Sequence, residues 1–322
     1  MTSSPEPRES PAGTQTLLPE PLTQVAWEWH ATGTVWRIHH DGCVDGELAE
    51  LVCELVEEDE ERWSRFRPSS ELSRLNAGAG DPVHVSWETF ELLEACAAWR
   101  ERTGGVFDPR VGTSRRAWGY MASMHDRAPH AATSPGDAPI VGRIALDPDC
   151  ASVLVPAGAQ LDLGGIAKGW MADRAAALLR VAAPGGRILV DAGGDLVAAR
   201  GSHLVAVDGA PGAWIALDEG EAAAPSSWRQ RRWRNGAGRI AHHLIDPATG
   251  APGALTSATV VGTSATEADV LATVLALRPQ QLAELVVPAR VEHDTAQRSN
   301  RAWDALAGGG HTTRDARSAR RR

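Results

Sequence analysis

Apolar and polar side chains alternate along residues 25–39, and this two-residue period predicts a pair of strands. The period becomes that of an α-helix between Gly46 and Arg65, with apolar positions at Leu48, Leu51, Val52, Leu55 and Val56. A second helix is predicted to begin after an N-cap at Ser86, with Thr89 at its third position. That helix should end near Thr103, where two glycines follow.

Strand and helix patterns are mixed in the second half of the chain, without the strict alternation of a Rossmann fold. Strand patterns occupy 144–155 (a hairpin), 187–195 (a buried run), 196–217 (short strands) and 257–262. Helix patterns occupy 166–180 and 264–277. The sequence therefore predicts an α+β (mixed α/β) fold with a mixed sheet and flanking helices.

A single domain is expected over residues 25–288. Residues 1–24 are rich in proline, serine and glutamate, which predicts a disordered N-terminal segment. Residues 121–142 lack periodicity and are interpreted as a surface loop, and residues 289–322 are polar and are interpreted as a disordered tail.

Composition narrows the class of protein. The net charge of −9 argues against nucleic acid as a partner. Four cysteines without a CxxC pair fit reduced thiols in a cytosolic protein. The N-terminus lacks the pattern of a signal peptide, and no window approaches the run of about 18 apolar residues that spans a bilayer. We therefore expect a cytoplasmic protein with no nucleic-acid or membrane partner.

The segment 161–174 is the first candidate for chemistry. It is predicted to run from a strand end through the turn Gly164-Gly165 into a helix, whose free N–H groups and positive dipole end suit a phosphate. Lys168 lies in the first helical turn, where the dipole disfavours a cation, so a bound anion would explain it. The alternative is an ordinary glycine turn before a helix.

The predicted helix 264–277 carries a second candidate. Asp269 and Thr273 are four residues apart and project from one face. Their neighbours are apolar, so the carboxylate needs a partner, and together the two oxygens can hold Mg²⁺. The alternative is an aspartate that stabilises the helix dipole.

Histidine and aromatic residues supply the remaining candidates. His242 and His243 should point to opposite faces of an extended chain, so at most one faces a given site, where it could transfer a proton. A structural role for either is the alternative. The aromatics of 118–120 could stack on a planar ring, and the turn Asp191–Asp195 could approach a ligand.

Taken in order, these segments resemble the ApbE family of FAD:protein FMN transferases. The residues that carry the resemblance are a Ser-Glu-Leu-Ser-Arg-Leu-Asn block, Phe-Asp-Pro, Asp-Leu-Gly-Gly-Ile-Ala-Lys-Gly, Gly-Gly-Asp, His-Leu-Ile-Asp-Pro-Ala-Thr-Gly and Ala-Asp-Val-Leu-Ala-Thr. They stand at 70–76, 107–109, 162–169, 193–195, 243–250 and 268–273, within a match over 27–285. The resemblance implies a single ApbE-like domain.

The resemblance also implies a reaction. FAD would be the substrate, with its pyrophosphate on Mg²⁺, and a threonine or serine hydroxyl of a target flavoprotein would attack the FMN-side phosphorus and release AMP. Two alternatives are an Mg²⁺-dependent FAD pyrophosphatase and a flavin-binding protein without turnover. The group that deprotonates the hydroxyl stays open between His243 and a nearby aspartate.

Roles for individual residues follow from the same resemblance. The metal would be bound by Asp269 and Thr273, helped by Gly165 or its neighbourhood. His243 would lie near the reacting phosphate, and His243 and Asp269 are the expected catalytic residues. FAD would also contact Asp162, Lys168, Trp118, Gly119 and Tyr120. Phe66 stands where the family often has tyrosine, and 222–228 departs from the usual Ala-Thr-Ser-Gly-like run.

Overall fold

A computed structural model of the chain describes residues 25–119, 142–206, 214–229, 231–234, 240–293 and 296–308. The strands in chain order are β1 (Val25–Ala31), β2 (Thr34–His40), β3 (Pro82–His84), β4 (Ala145–Asp147), β5 (Ser152–Leu154), β6 (Ile188–Ala192), β7 (Asp195–Arg200), β8 (His203–Ala206), β9 (Trp214–Leu217), β10 (Ala222–Ser227), β11 (Arg232–Arg234), β12 (Ile240–His242), β13 (Ile245–Asp246), β14 (Ala251–Pro252), β15 (Thr256–Gly262), β16 (Ala289–His293) and β17 (Ala296–Ser299). The helices are α1 (Gly46–Trp63), α2 (Glu71–Ala77), α3 (Trp87–Arg102), α4 (Gly112–Ala117), α5 (Ala167–Ala182), α6 (Ala265–Leu277) and α7 (Arg301–Gly308), and a 3-10 helix spans Pro279–Glu284.

The main sheet has the strand order β1-β2-β6-β7-β10-β15-β16-β17, and its neighbouring strands are antiparallel. The α+β class is confirmed, but the expectation of a mixed sheet is wrong for these strands. The long connection between β2 and β6 sets the direction of β6 relative to β2. It returns the chain to the end of the sheet that it left, since His40 at the end of β2 pairs with Ile188 at the start of β6.

Both faces of the central strands are covered. Helices α5 and α6 pack on one face, with α1 against α5, while the β8–β9 hairpin and α7 belong to the other side. Alternate residues therefore enter different cores: Val190 belongs to the main core and its neighbour Leu189 to the smaller one, which also contains Trp303. This two-sided burial explains why the start of β6, residues 188–190, is apolar without alternation.

The predicted disordered tail is wrong for residues 289–308. β16 pairs with β15 and β17 with β16, so this segment extends the main sheet, and α7 follows. Asn300 ties the segment down, because its side chain accepts from the N–H of Ala289 and donates to the carbonyl oxygens of Leu285 and Val287. Pairing and burial outweigh the polar composition that suggested disorder.

Most of the other predicted elements form. The strand pair over 25–39 is β1 and β2, the hairpin over 144–155 is β4 and β5, and Ser86 caps α3 by accepting from the N–H of Thr89. Leu51 departs from its helical pattern, since it is 47% exposed on α1. The predictions for 1–24, for residues 121–141 of the loop and for residues 309–322 of the tail lie outside the described residues.

Candidate active site

Two cavities meet at the amino-terminal end of α5. The first, of about 250 Å³, has an apolar and aromatic wall that includes Trp63, Phe66, Leu72, Leu163 and Met171. The second, of about 230 Å³, is bordered by the polar side chains of Asp195, Ser226, Ser227, His243, Asp269 and Thr273. The residues that line both cavities, and so join them, are Gly33, Arg115, Gly164, Lys168 and Arg231. The site thus offers an apolar end and a charged end to one elongated ligand.

Asp162 lies on the wall of the first cavity, where its carboxylate is held by protein groups. Arg115 forms an ion pair with one oxygen, Arg65 approaches the other at 3.1 Å, and the N–H of Gly164 donates at 2.9 Å. Burial alone would raise the pKa of Asp162, but the charges of Arg115 and Arg65 outweigh it and hold the pKa well below its usual range. Asp162 is therefore a permanently charged anchor for two arginines, and these arginines face the cavity beside it.

Lys168 has a different partner from the anion that the helix dipole suggested. Its ammonium group contacts the buried carboxylate of Asp195, and its Nζ lies 4.0 Å from Oδ2 of Asp269. Burial would lower the pKa of Lys168, but the two carboxylates outweigh it and raise the pKa. Burial raises the pKa of Asp195 even though Lys168 opposes this. Carboxylates from β7 and α6 account for a cation in this first helical turn.

Asp269 projects from the second turn of α6 into the polar cavity. Its Oδ2 is buried and has no hydrogen-bond partner among the described residues. Thr273, one turn later, lies against Gly165, where an added Cβ would stand 3.6 Å from the threonine Oγ1. Thr273 and the glycine turn are thus neighbours, as the family resemblance implied.

The helix-dipole reading of Asp269 is not needed, because other groups occupy the start of α6. Ser264 caps the helix by accepting from the N–H of Glu267. Asp173 of α5 accepts from the N–H groups of Ala265 and Thr266. With the first turn already satisfied, the carboxylate of Asp269 is left for another partner.

The two adjacent histidines separate as predicted for an extended chain. His242 is buried, and its Nε2 lies 3.1 Å from the carbonyl oxygen of Gly253. His243 lines the polar cavity, and its Nδ1 lies 3.5 Å from the carbonyl oxygen of Arg231. Burial, then the charges of Arg115 and Arg231, lower the pKa of His243 well below its usual value. Its imidazole is therefore neutral near pH 7.

The aromatic candidates fall in two places. Phe66 is 42% exposed at the first cavity, with the guanidinium carbon of Arg65 4.2 Å from its ring centre. Trp118 is buried away from both cavities, since it packs with Ala241 and Ile245 and its Nε1 donates to Gly250. The expected place of Trp118 on the ligand pocket is not supported. Its neighbour Gly119 also lines neither cavity, and Tyr120 lies outside the described residues.

Sequence reasoning missed the arginines of the site. Arg65 follows α1, Arg115 lies in α4 and Arg231 precedes β11, so no local spacing links them. The only signal for Arg115 is its position shortly after the Phe-Asp-Pro turn. Arg115 also donates from Nε to the carbonyl oxygen of His243 at 2.8 Å, which ties the candidate base to the Asp162 anchor.

These features define an α+β protein whose joined cavities suit a ligand with a planar apolar part and a phosphorylated part. The model of the ApbE family matches residues 32–293. The chain belongs to the ApbE family.

Curated relatives and solved structures agree with this assignment. The chain is 30% identical over 251 residues to a Treponema pallidum protein named FAD:protein FMN transferase, covering 70% of this chain and 69% of that protein. A Klebsiella pneumoniae protein of the same name is 28% identical over 247 residues, covering 72% and 75%. The structure of the ApbE protein from Thermotoga maritima superposes with a TM-score of 0.74 at 25% identity, covering 87% of this chain and 98% of that one.

No helix in the described ranges is long and apolar enough to cross a membrane.

Proposed function

We propose that this protein is an FAD:protein FMN transferase that uses Mg²⁺, transfers FMN to a threonine or serine hydroxyl of a target flavoprotein and releases AMP. The observation that carries the proposal is the buried Oδ2 of Asp269, which accepts no hydrogen bond from the described residues and lies at the polar cavity with Thr273 and His243. The apolar wall with Phe66 suits the flavin ring, and the joint between the cavities suits the diphosphate.

The residues fit a magnesium ion. Asp269 offers a carboxylate, Thr273 a hydroxyl and Gly165 a main-chain carbonyl, which are the hard oxygens that Mg²⁺ takes alongside water and phosphate. In the described part of the chain, no three histidine, cysteine, aspartate or glutamate side chains cluster as a metal site. A sparse set of ligands of this kind is what Mg²⁺ shared with a diphosphate requires. When bound, the ion would neutralise phosphate charge as a Lewis acid.

His243 is the candidate base. A carbonyl oxygen can only accept, so the contact of Nδ1 with Arg231 favours a proton on Nδ1 and leaves the lone pair on Nε2. Nε2 would take the proton of the acceptor hydroxyl while the hydroxyl oxygen forms a bond to the FMN-side phosphorus. The bond from that phosphorus to the bridging oxygen would break, and AMP would leave with the oxygen.

The other residues predicted from the sequence would contribute to FAD binding. Phe66 would contact the flavin from the cavity rim, and Asp162 would act through the arginines that it holds. Lys168 would keep its contacts with Asp195 and Asp269, and its positive charge would also attract the diphosphate. Phosphoryl transfer depends mainly on such positioning and charge.

Incubation with FAD, Mg²⁺ and a candidate acceptor flavoprotein tests the proposal. We expect mass spectrometry to find FMN added to a threonine or serine of the acceptor, and chromatography to find an equal amount of AMP. Chelation of Mg²⁺ should stop both. Free FMN and AMP with no acceptor adduct would instead identify an FAD pyrophosphatase, and FAD binding without turnover a flavin-binding protein.

A further inference from the structure

We propose that the guanidinium group of Arg231 binds the diphosphate of FAD where the two cavities meet. This inference rests on the proposed function, because it assumes that FAD lies across the joint. Arg231 lies outside the sequence blocks that carry the family resemblance.

Arg231 lines the apolar cavity and the polar cavity, as Gly164 and Lys168 do. A ligand with its ring in the first cavity and its reacting phosphorus beside His243 must pass this joint. Arg231 therefore lies on the path of the two phosphates.

The cations of the site differ in their carboxylate partners. Arg65 and Arg115 share the carboxylate of Asp162, and Lys168 contacts Asp195. Arg231, by contrast, has no carboxylate within 4.0 Å in the described part of the chain, and it is half-buried rather than fully solvated. A cation in this position gains most from an anionic ligand, because its charge is not paired with a carboxylate of the described residues.

Its neighbours in sequence are engaged elsewhere. Arg229 pairs with Glu292 at 2.8 Å, and the guanidinium carbon of Arg232 lies 5.2 Å from the ring centre of Trp228. Neither residue lines the two cavities. The short basic run around β11 thus directs one arginine into the site.

Arg231 also contacts the candidate base His243. The carbonyl oxygen of Arg231 accepts from the N–H of His243 at 3.3 Å and lies 3.5 Å from its Nδ1. The same residue would therefore orient the imidazole through its main chain and hold phosphate oxygens through its side chain. A planar guanidinium can contact two oxygens of a phosphate at once, which a lysine ammonium does not reproduce.

The test compares Arg231→Met, Arg231→Lys and the matched control Arg232→Ala. Affinities for FAD and for riboflavin, both with Mg²⁺ present, would be measured by quenching of flavin fluorescence, and FMN transfer by mass spectrometry. We expect Arg231→Met to weaken FAD binding at least tenfold with riboflavin binding unchanged, and to lower the transfer rate by about 10²-fold. Arg231→Lys should restore part of both losses, and Arg232→Ala should match the wild type.

The outcomes separate this inference from the proposed function. If Arg231→Met loses FAD affinity and the wild-type protein transfers no FMN, the diphosphate contact is supported and the transferase is rejected. Normal FAD affinity and transfer in both Arg231 variants would overturn the contact and leave the transferase standing. An equal loss of riboflavin affinity would also overturn it, since riboflavin has no phosphate. If Arg231→Met does not fold, Arg231→Lys decides by the same ratio of FAD to riboflavin affinity.

Discussion

The carboxylate of Asp173 on α5 accepts two hydrogen bonds from Thr266 on α6. The N–H of Thr266 donates at 2.9 Å and its hydroxyl donates at 2.6 Å. The same carboxylate accepts from the N–H of Ala265 at 2.7 Å. The contact joins the helix that carries Lys168 to the helix that carries Asp269. It is supported by Gly169, where a Cβ would overlap the carbonyl of Ala265, so the two helices can approach only because that residue is glycine.

Asp173→Ala should therefore weaken magnesium binding without touching the metal residues. Loss of the bonds to Ala265 and Thr266 lets the start of α6 shift, and supporting groups of this kind are worth about 10- to 100-fold in metal affinity. Calorimetric titration with Mg²⁺ measures the effect. Glu267→Gln is the control, because Glu267 also binds at this helix start but holds Thr263 rather than α5. Equal Mg²⁺ affinity in both variants would contradict the positioning role.

Asp269→Ala should abolish Mg²⁺-dependent transfer while the protein stays folded. Oδ2 of Asp269 makes no hydrogen bond with the described residues, and Lys168 keeps its contact with Asp195 in the variant. Thermal unfolding with and without Mg²⁺ gives the readout, because a bound ion stabilises the native state by mass action. The wild type should melt higher with Mg²⁺ and the variant should not. Unchanged transfer by the folded variant would remove Asp269 from the metal site.

The adjacent histidines should respond in opposite ways to alanine. His243→Ala should lower the transfer rate at saturating FAD by about 10²–10⁴-fold, the usual contribution of a positioned base, with FAD binding retained. His242→Ala should keep most of the rate but lower the free energy of unfolding, since His242 is buried and its Nε2 contacts Gly253. Rates and denaturant unfolding of both variants check this. A rate loss confined to His242→Ala would show that the base is not His243.

Asp59 should make the stability of the protein fall as pH rises. This fully buried carboxylate of α1 lies 2.9 Å from Arg174 of α5 and 3.3 Å from Arg62. Burial raises its pKa to about 6, although both arginines oppose the rise. Between the unfolded value of 3.8 and about 6, the native state binds the extra proton, so the free energy of unfolding decreases with pH, by up to ~3 kcal/mol.

Asp59→Asn should remove that part of the pH dependence. Urea unfolding of wild type and variant at pH 4 and pH 7 makes the comparison, since the other carboxylates contribute equally to both. The wild type should lose more stability than the variant between the two values. Parallel pH profiles would mean that Asp59 ionises normally in the native state.

Local chemistry in the sequence determined the elements and the metal candidates. The alternation in β1 and β2, the cap at Ser86 and the spacing of Asp269 and Thr273 depend on residues within one or two turns of each other. Such short-range geometry repeats wherever a strand or helix forms. The family motifs also carried the resemblance, and the family match agrees with it.

Only the tertiary structure decided which charges meet. Lys168 contacts Asp195, 27 residues away, and the two arginines that hold Asp162 both lie far before it in the chain, at positions 65 and 115. The burial of Trp118 and the pairing of residues 289–299 with the sheet likewise depend on distant partners. Sequence spacing sets the direction of a side chain within its own element. Which carboxylate, cation or sheet edge stands opposite depends on how the elements pack, and burial then makes those pairings obligatory.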